Sequence, residues 1–153
     1  MTTQIRNIGA LITALAAVAN TAATAGGSGD AVEVEGDILD RAAIGNPQSG
    51  VLAIPFSATL AEGETLSLAF EAESGNASNL SDASALKTGA SAVVATGPSG
   101  GGTVRGTLEV DLSLAGAGRY VRAKVTPDLS AANTDTAALA GVMIFGGADR
   151  VPA

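Results

Sequence analysis

Several stretches of this 153-residue chain carry residue types at spacings that known chemistries use. Gly97-Pro98-Ser99-Gly100-Gly101 satisfies G-x-S-x-G, the turn on which hydrolases present a nucleophilic serine. The same run, continued through Gly102 and Thr103, has the glycine spacing of a phosphate-cradling loop. Ser84-Ala85-Leu86-Lys87 fits S-x-x-K and Lys87-Thr88-Gly89 fits K-T-G, two marks of penicillin-recognising enzymes. Glu33/Glu35, Glu71/Glu73 and Glu109/Asp111 are carboxylates two apart, which share one face of a strand; glycosidases use two carboxylates and calcium sites several.

Each motif lacks a partner it needs. The chain has no His to activate Ser99, no Lys between the second glycine and Thr103, and one lysine where the penicillin motifs need two. Aromatic residues make up 3%, too few for sugar-stacking platforms, so the acidic pairs read as a solvated face. Asn76-Ala77-Ser78 and Asn79-Leu80-Ser81 are formal glycosylation acceptors, relevant only in a eukaryotic secretory setting. With neither His nor Cys there is no zinc site of the usual kind, no Cys-His nucleophile and no near-neutral proton switch unless a carboxylate or Lys is strongly shifted. The expectation is a chain that binds or assembles, with no catalytic, cofactor or metal residues, and not an enzyme.

The elements that carry these residues belong to one domain's worth of chain. Its core must be built from Val, Leu, Ile and Ala, which leaves little room for a deep small-molecule pocket. Eight basic against fifteen acidic residues give a net charge of −7, so no direct nucleic-acid partner is expected. The absence of Cys excludes disulfides and fits an intracellular assembly history.

Residues 7–29 contain no charge. Ile8, Leu11, Ile12, Leu15 and Val18 followed by Ala23-Thr24-Ala25 resemble a signal peptide; a membrane span and a short amphipathic helix are the other readings. The 3-4-3 spacing of Ile5, Ile8, Ile12 and Leu15 is that of one helical stripe, which needs cover from its own domain or a neighbouring subunit. Gly26-Gly27-Ser28-Gly29 reads as a joint, dividing the chain into an N-terminal arm (1–30) and a body (31–153).

From residue 31 the hydrophobic period becomes two. Val32 and Val34 alternate with Glu33 and Glu35. Leu52, Ile54, Phe56, Ala58 and Leu60 share one face of a strand, and Pro55 suggests a sheet edge or a bulge. Leu66, Leu68, Phe70 and Ala72 share the next, and the two strands read as a hairpin about residues 61–63. A second hairpin is expected about residues 115–118, pairing Leu112 with Val121, Asp111 with Arg122, Glu109 with Lys124 and Thr107 with Thr126. Residues 74–89 read as a long surface loop and 92–96 as a further strand. Residues 138–145 are apolar on both faces, with Leu139, Met143 and Phe145 on one, as in a strand covered on both sides. The fold class is all-β, a jelly-roll-like antiparallel β-sandwich with an N-terminal extension.

Residues 50–56 (Gly-Val-Leu-Ala-Ile-Pro-Phe), 61–66 (Ala-Glu-Gly-Glu-Thr-Leu), 118–122 (Gly-Arg-Tyr-Val-Arg), 126–130 (Thr-Pro-Asp-Leu-Ser) and 146–152 (Gly-Gly-Ala-Asp-Arg-Val-Pro) carry a resemblance. Over roughly residues 31–153 the chain resembles the small capsid cement, or head decoration, proteins of tailed bacteriophages. The resemblance implies a jelly-roll-like sandwich that binds the outer capsid surface, commonly as a trimer, and reinforces the shell. It implies the major capsid protein and further copies of the chain as partners, no membrane and no nucleic acid, and a place on the virion surface after assembly in the host cytoplasm. Ile5, Ile8, Ile12 and Leu15 are the expected inter-subunit anchors, with Arg119, Tyr120 and Arg122 as further interface candidates. The alternatives are a cell-surface or receptor module, carbohydrate-directed, and another virion component of the neck, tail or fibre base.

Overall fold

Nine strands account for most of the protein in a computed structural model, which describes residues 7–131 and 134–148. They are β1 (Thr13–Thr24), β2 (Val34–Glu35), β3 (Leu39–Asp40), β4 (Ser49–Leu60), β5 (Thr65–Gly75), β6 (Ser84–Thr96), β7 (Gly102–Ser113), β8 (Tyr120–Leu129) and β9 (Thr136–Gly146). All ladders are antiparallel. One sheet has the order β1-β9-β4-β7; the other has β2-β8-β5-β6, with β3 also paired to β8. If β2 and β3 count as two pieces of one strand position, every connection crosses from sheet to sheet except β5–β6. That is the double Greek key of a jelly roll.

The period-two faces meet between the sheets as the sequence predicts. Leu52, Ile54, Phe56, Ala58 and Leu60 of β4 are buried, as are Leu66, Leu68 and Ala72 of β5, Val110 and Leu112 of β7, and Val121, Ala123 and Val125 of β8. Leu139, Met143 and Phe145 of β9 complete the layer. The interior is aliphatic and thin, and small residues admit the few rings: Phe56 lies across Gly106, where a side chain would collide with it.

Strand pairing differs from the expectation at both predicted hairpins. β7 pairs β4 and β8 pairs β5, so Asp111, Glu109 and Thr107 do not meet Arg122, Lys124 and Thr126. The reason is Arg41, whose guanidinium donates to the carbonyls of Leu114 (3.1 Å), Ala117 (2.6 Å) and Gly118 (2.8 Å) and steers residues 114–118 across the end of the sandwich. β4 and β5 also lie in opposite sheets, because the Ala61 N–H donates to Asp135 (3.0 Å) and the Gly63 N–H to the Gly97 carbonyl (3.1 Å), drawing the corner over the end of the core.

Four further expectations change. Pro55 is in a central strand without a bulge; the β4–β9 ladder skips Ile54 and Pro55 and resumes in the same register. The expected loop over 74–89 shrinks to residues 76–83, where Asp82 accepts the N–H groups of Asn76 (2.9 Å) and Ala77 (3.0 Å), and β6 begins at Ser84. The helical stripe is replaced by a short 3-10 turn (Ile8–Ala10) and by β1, which pairs β9 with Leu15 opposite Met143. Ala lies on both faces of this segment and hides its true period, so residues 13–24 form an edge strand of the first sheet. Last, β9 is covered on one face only: Ala138 on the other is exposed, and Ala140, Val142 and Ile144 are half-buried.

Candidate functional site

None of the catalytic patterns is assembled. Glu62 occupies the glycine loop itself, accepting the Gly100 N–H (2.9 Å) and the Ser99 hydroxyl (3.4 Å), so an internal carboxylate sits where a phosphate would have to bind. Ser84 and Lys87 lie on a strand, about 10 Å apart along it rather than one helical turn. The Lys87 ammonium donates to the Asp111 carbonyl (2.8 Å). Among the described residues no three His, Cys, Asp or Glu cluster as a metal site, and no helix is long and apolar enough to cross a membrane.

Three carboxylates of the second sheet, Glu35, Glu71 and Glu73, are spent on cations. On its outer face Arg122 binds Glu73 (2.6 Å) and Glu35 (2.9 Å), and Lys124 binds Glu73 (3.1 Å) and Glu71 (3.7 Å). Burial pushes the Glu73 carboxyl up, but hydrogen bonds and charge from Arg122 and Lys124 outweigh it and hold its pKa below the usual value. The hydrogen bond with Glu73, against some burial, holds Lys124 above its usual value. Arg119 makes a two-pronged contact with Asp40 (3.0 and 2.7 Å), which lowers the Asp40 pKa, and its guanidinium lies 5.1 Å from the centre of the Tyr120 ring. Of the expected interface residues, then, Arg119 and Arg122 are engaged within the chain.

The first sheet is different. β1, β4 and β9 run side by side over 12, 12 and 11 residues and contain no Asp, Glu, Lys or Arg at all. Their inward residues form half the core, while their outward residues have no layer over them: Pro55 on β4, Ala138 on β9 and Ala14, Ala16 and Ala22 on β1 are exposed, and Val51, Ala53, Val142 and Ile144 are half-buried. An uncharged, small-side-chain face three strands wide on an acidic molecule is the kind of surface that protein covers. At one end it continues into an apolar recess of about 280 Å³ walled by Leu11, Ile12, Ile44, Pro47 and Phe145. Beside it Ile8 is 71% exposed and Leu11 45%. Of the sequence-predicted anchors, Ile12 sits at the rim of this surface and Ile8 is exposed in the 3-10 turn that leads to it. Leu15 packs against the core, and Ile5 lies outside the described residues. The sheet face itself was missed residue by residue; its signal was the two-sided apolar run at 138–145 and the charge-free strand around Pro55.

No protein family matches the sequence, and no curated protein is similar to it. Among solved structures, the chain is similar to chains of infectious bursal disease virus. The Gx-strain structure matches at 9% identity and a TM-score of 0.44, covering 92% of this chain and 34% of that one. The VP2 subviral particle matches at 10% identity and 0.45, with the same coverage. This chain thus spans about a third of the length of the chains it matches.

Proposed function

We propose that the chain is a structural protein of a tailed-bacteriophage virion, binding the outer capsid surface as a cement or decoration protein and stabilising the shell, as a trimer. The observation that carries the reading is the outer face of β1, β9 and β4, half-buried to exposed in the single chain and free of charge. The resemblance at residues 50–66 and 118–152 supports the phage assignment. In this reading the uncharged face, its rim at Ile12 and the turn that carries Ile8 lie against the major capsid protein or a neighbouring copy. The charged face of the second sheet, its cations already paired, stays in water. No bond-making step is involved. Many such contacts repeated over a shell add through multivalency, so none needs to be strong alone.

Imaging of purified particles, together with their protein stoichiometry, tests this. The expected result is density outside the shell at a copy number comparable to the major capsid protein. The paired substitution Val51→Asp with Val142→Asp should remove that density while the isolated chain keeps its fold, and Ile8→Asp with Ile12→Asp should reduce it. Absence of the protein from particles overturns the reading.

A further inference from the structure

We infer that two copies of this chain join edge to edge along β7, about a two-fold axis through Thr107, into one continuous sheet. β7 ends its sheet and pairs only β4. The orientation of its free edge follows from Pro55. The β4–β9 ladder lapses where Pro55 has no N–H to give, so Pro55 faces β9, and its β7 partner Thr107 turns its own N–H and C=O away from β4. Strand alternation gives Arg105 and Glu109 the same orientation, with their side chains exposed on the outer face. The Asp111 carbonyl, in the same phase, is where an edge-facing group should be, and Lys87 reaches it from outside the ladder.

The charges on this edge are unspent. The other described cations are engaged: Arg41 and Lys87 on carbonyls, Arg119, Arg122 and Lys124 on carboxylates. Arg105 makes one long contact, to the Ser57 hydroxyl (3.4 Å), and neither it nor Glu109 has an ion pair among the described residues. Four residues apart on one strand, they are about 14 Å from each other and cannot pair. Antiparallel pairing about Thr107 solves this twice over. Each Arg105 faces Glu109 of the other copy, and Thr107 faces its own equivalent, both favourable cross-strand pairs. The neighbouring register, Arg105 against Asp111, puts the carbonyl that Lys87 holds inside the charge-paired segment, whereas pairing centred on Thr107 is complete between Arg105 and Glu109 and leaves that carbonyl outside it. Centring on Arg105 or on Glu109 would set like charges face to face. Paired side chains lie on the same side of a sheet, so the two uncharged faces lie on one side of an eight-stranded sheet, flanking the two central β7 strands and their paired charges. The contact is isologous and closes on itself.

The test uses the full-length chain alone, apart from any particle. Free of the shell on which the trimer of the proposed function forms, the chain should sediment as a reversible dimer across a concentration series; a trimer as the first associated species overturns the inference. Arg105→Glu and Glu109→Arg should each weaken it by about tenfold or more, and the double swap should restore it. All these positions are exposed, and thermal melting checks that the variants stay folded. In this Cys-free chain Thr107→Cys should oxidise to a covalent dimer, whereas Thr103→Cys, which would face Asp111, should not. A wild-type chain monomeric at every concentration overturns the inference. So does either single charge reversal leaving association unchanged, or equal cross-linking at 103 and 107.

Discussion

Arg41 is 5% exposed and holds one end of the sandwich by donating to the backbone carbonyls of Pro47, Leu114, Ala117 and Gly118. Those carbonyls belong to two connections that have no ladder of their own there. Replacing Arg41 with Met should cost about 3 kcal/mol or more, because a charge-assisted network is lost and buried carbonyls remain. Arg41→Lys should recover only part, since a single ammonium cannot span four acceptors. Urea unfolding measures both. Glu73 sets a second expectation. Its folded pKa lies below its ordinary 4.5, so the native state holds fewer protons than the unfolded chain in acid. The stabilisation is therefore complete above about pH 4.5 and lost as pH falls through the depressed value. Lys124, raised above 10.5, behaves oppositely: its contribution is complete below that pH and is lost as pH rises through the folded value. A melting-temperature profile should be flat between these limits and fall on both sides. Glu73→Gln should shrink the acid limb and leave the part that Asp40 and Asp82, also held below their ordinary values, contribute.

Between β2 and β3 the chain laces the two sheets together: the Gly36 N–H donates to Ala123 of β8 (2.9 Å) and the Asp37 N–H to Ala17 of β1 (2.8 Å). A Cβ at Gly36 would run into the carbonyl oxygens of both alanines. Gly36→Ala should therefore destabilise by about 3 kcal/mol, as overpacking against backbone does, whereas Gly63→Ala, with nothing near the new carbon, should cost less despite its positive φ. Differential scanning calorimetry would order them. The strands were legible in the sequence because side-chain alternation is local: Leu52 to Leu60 and Leu66 to Ala72 needed no knowledge of their neighbours. Their partners were not legible, since a short polar connection serves a hairpin and an inter-sheet corner equally well. Complementary charges misled for the same reason, because Arg122 and Lys124 find Glu73 and Glu71 on β5 as readily as Asp111 and Glu109. β1 was hidden by alanine, which marks neither face.

At the scale of the whole molecule the two outer faces differ in kind. One carries an ion-paired lattice across β2, β8 and β5, the other three strands without a charge. A chain with net charge −7 that docks through its uncharged face gains by removing apolar surface from water, and screening has little to act on. Occupancy on particles should accordingly hold steady or rise as salt increases from about 0.05 to 0.5 M, over which the screening length shrinks from roughly 14 to 4 Å. Titration calorimetry should give a negative heat-capacity change, the mark of apolar burial. A steep loss of occupancy with salt, reproduced by neutralising Glu35 and Glu71, would instead assign docking to the second sheet. The two faces point to opposite sides of one thin sandwich, so salt dependence separates them without any image of the complex.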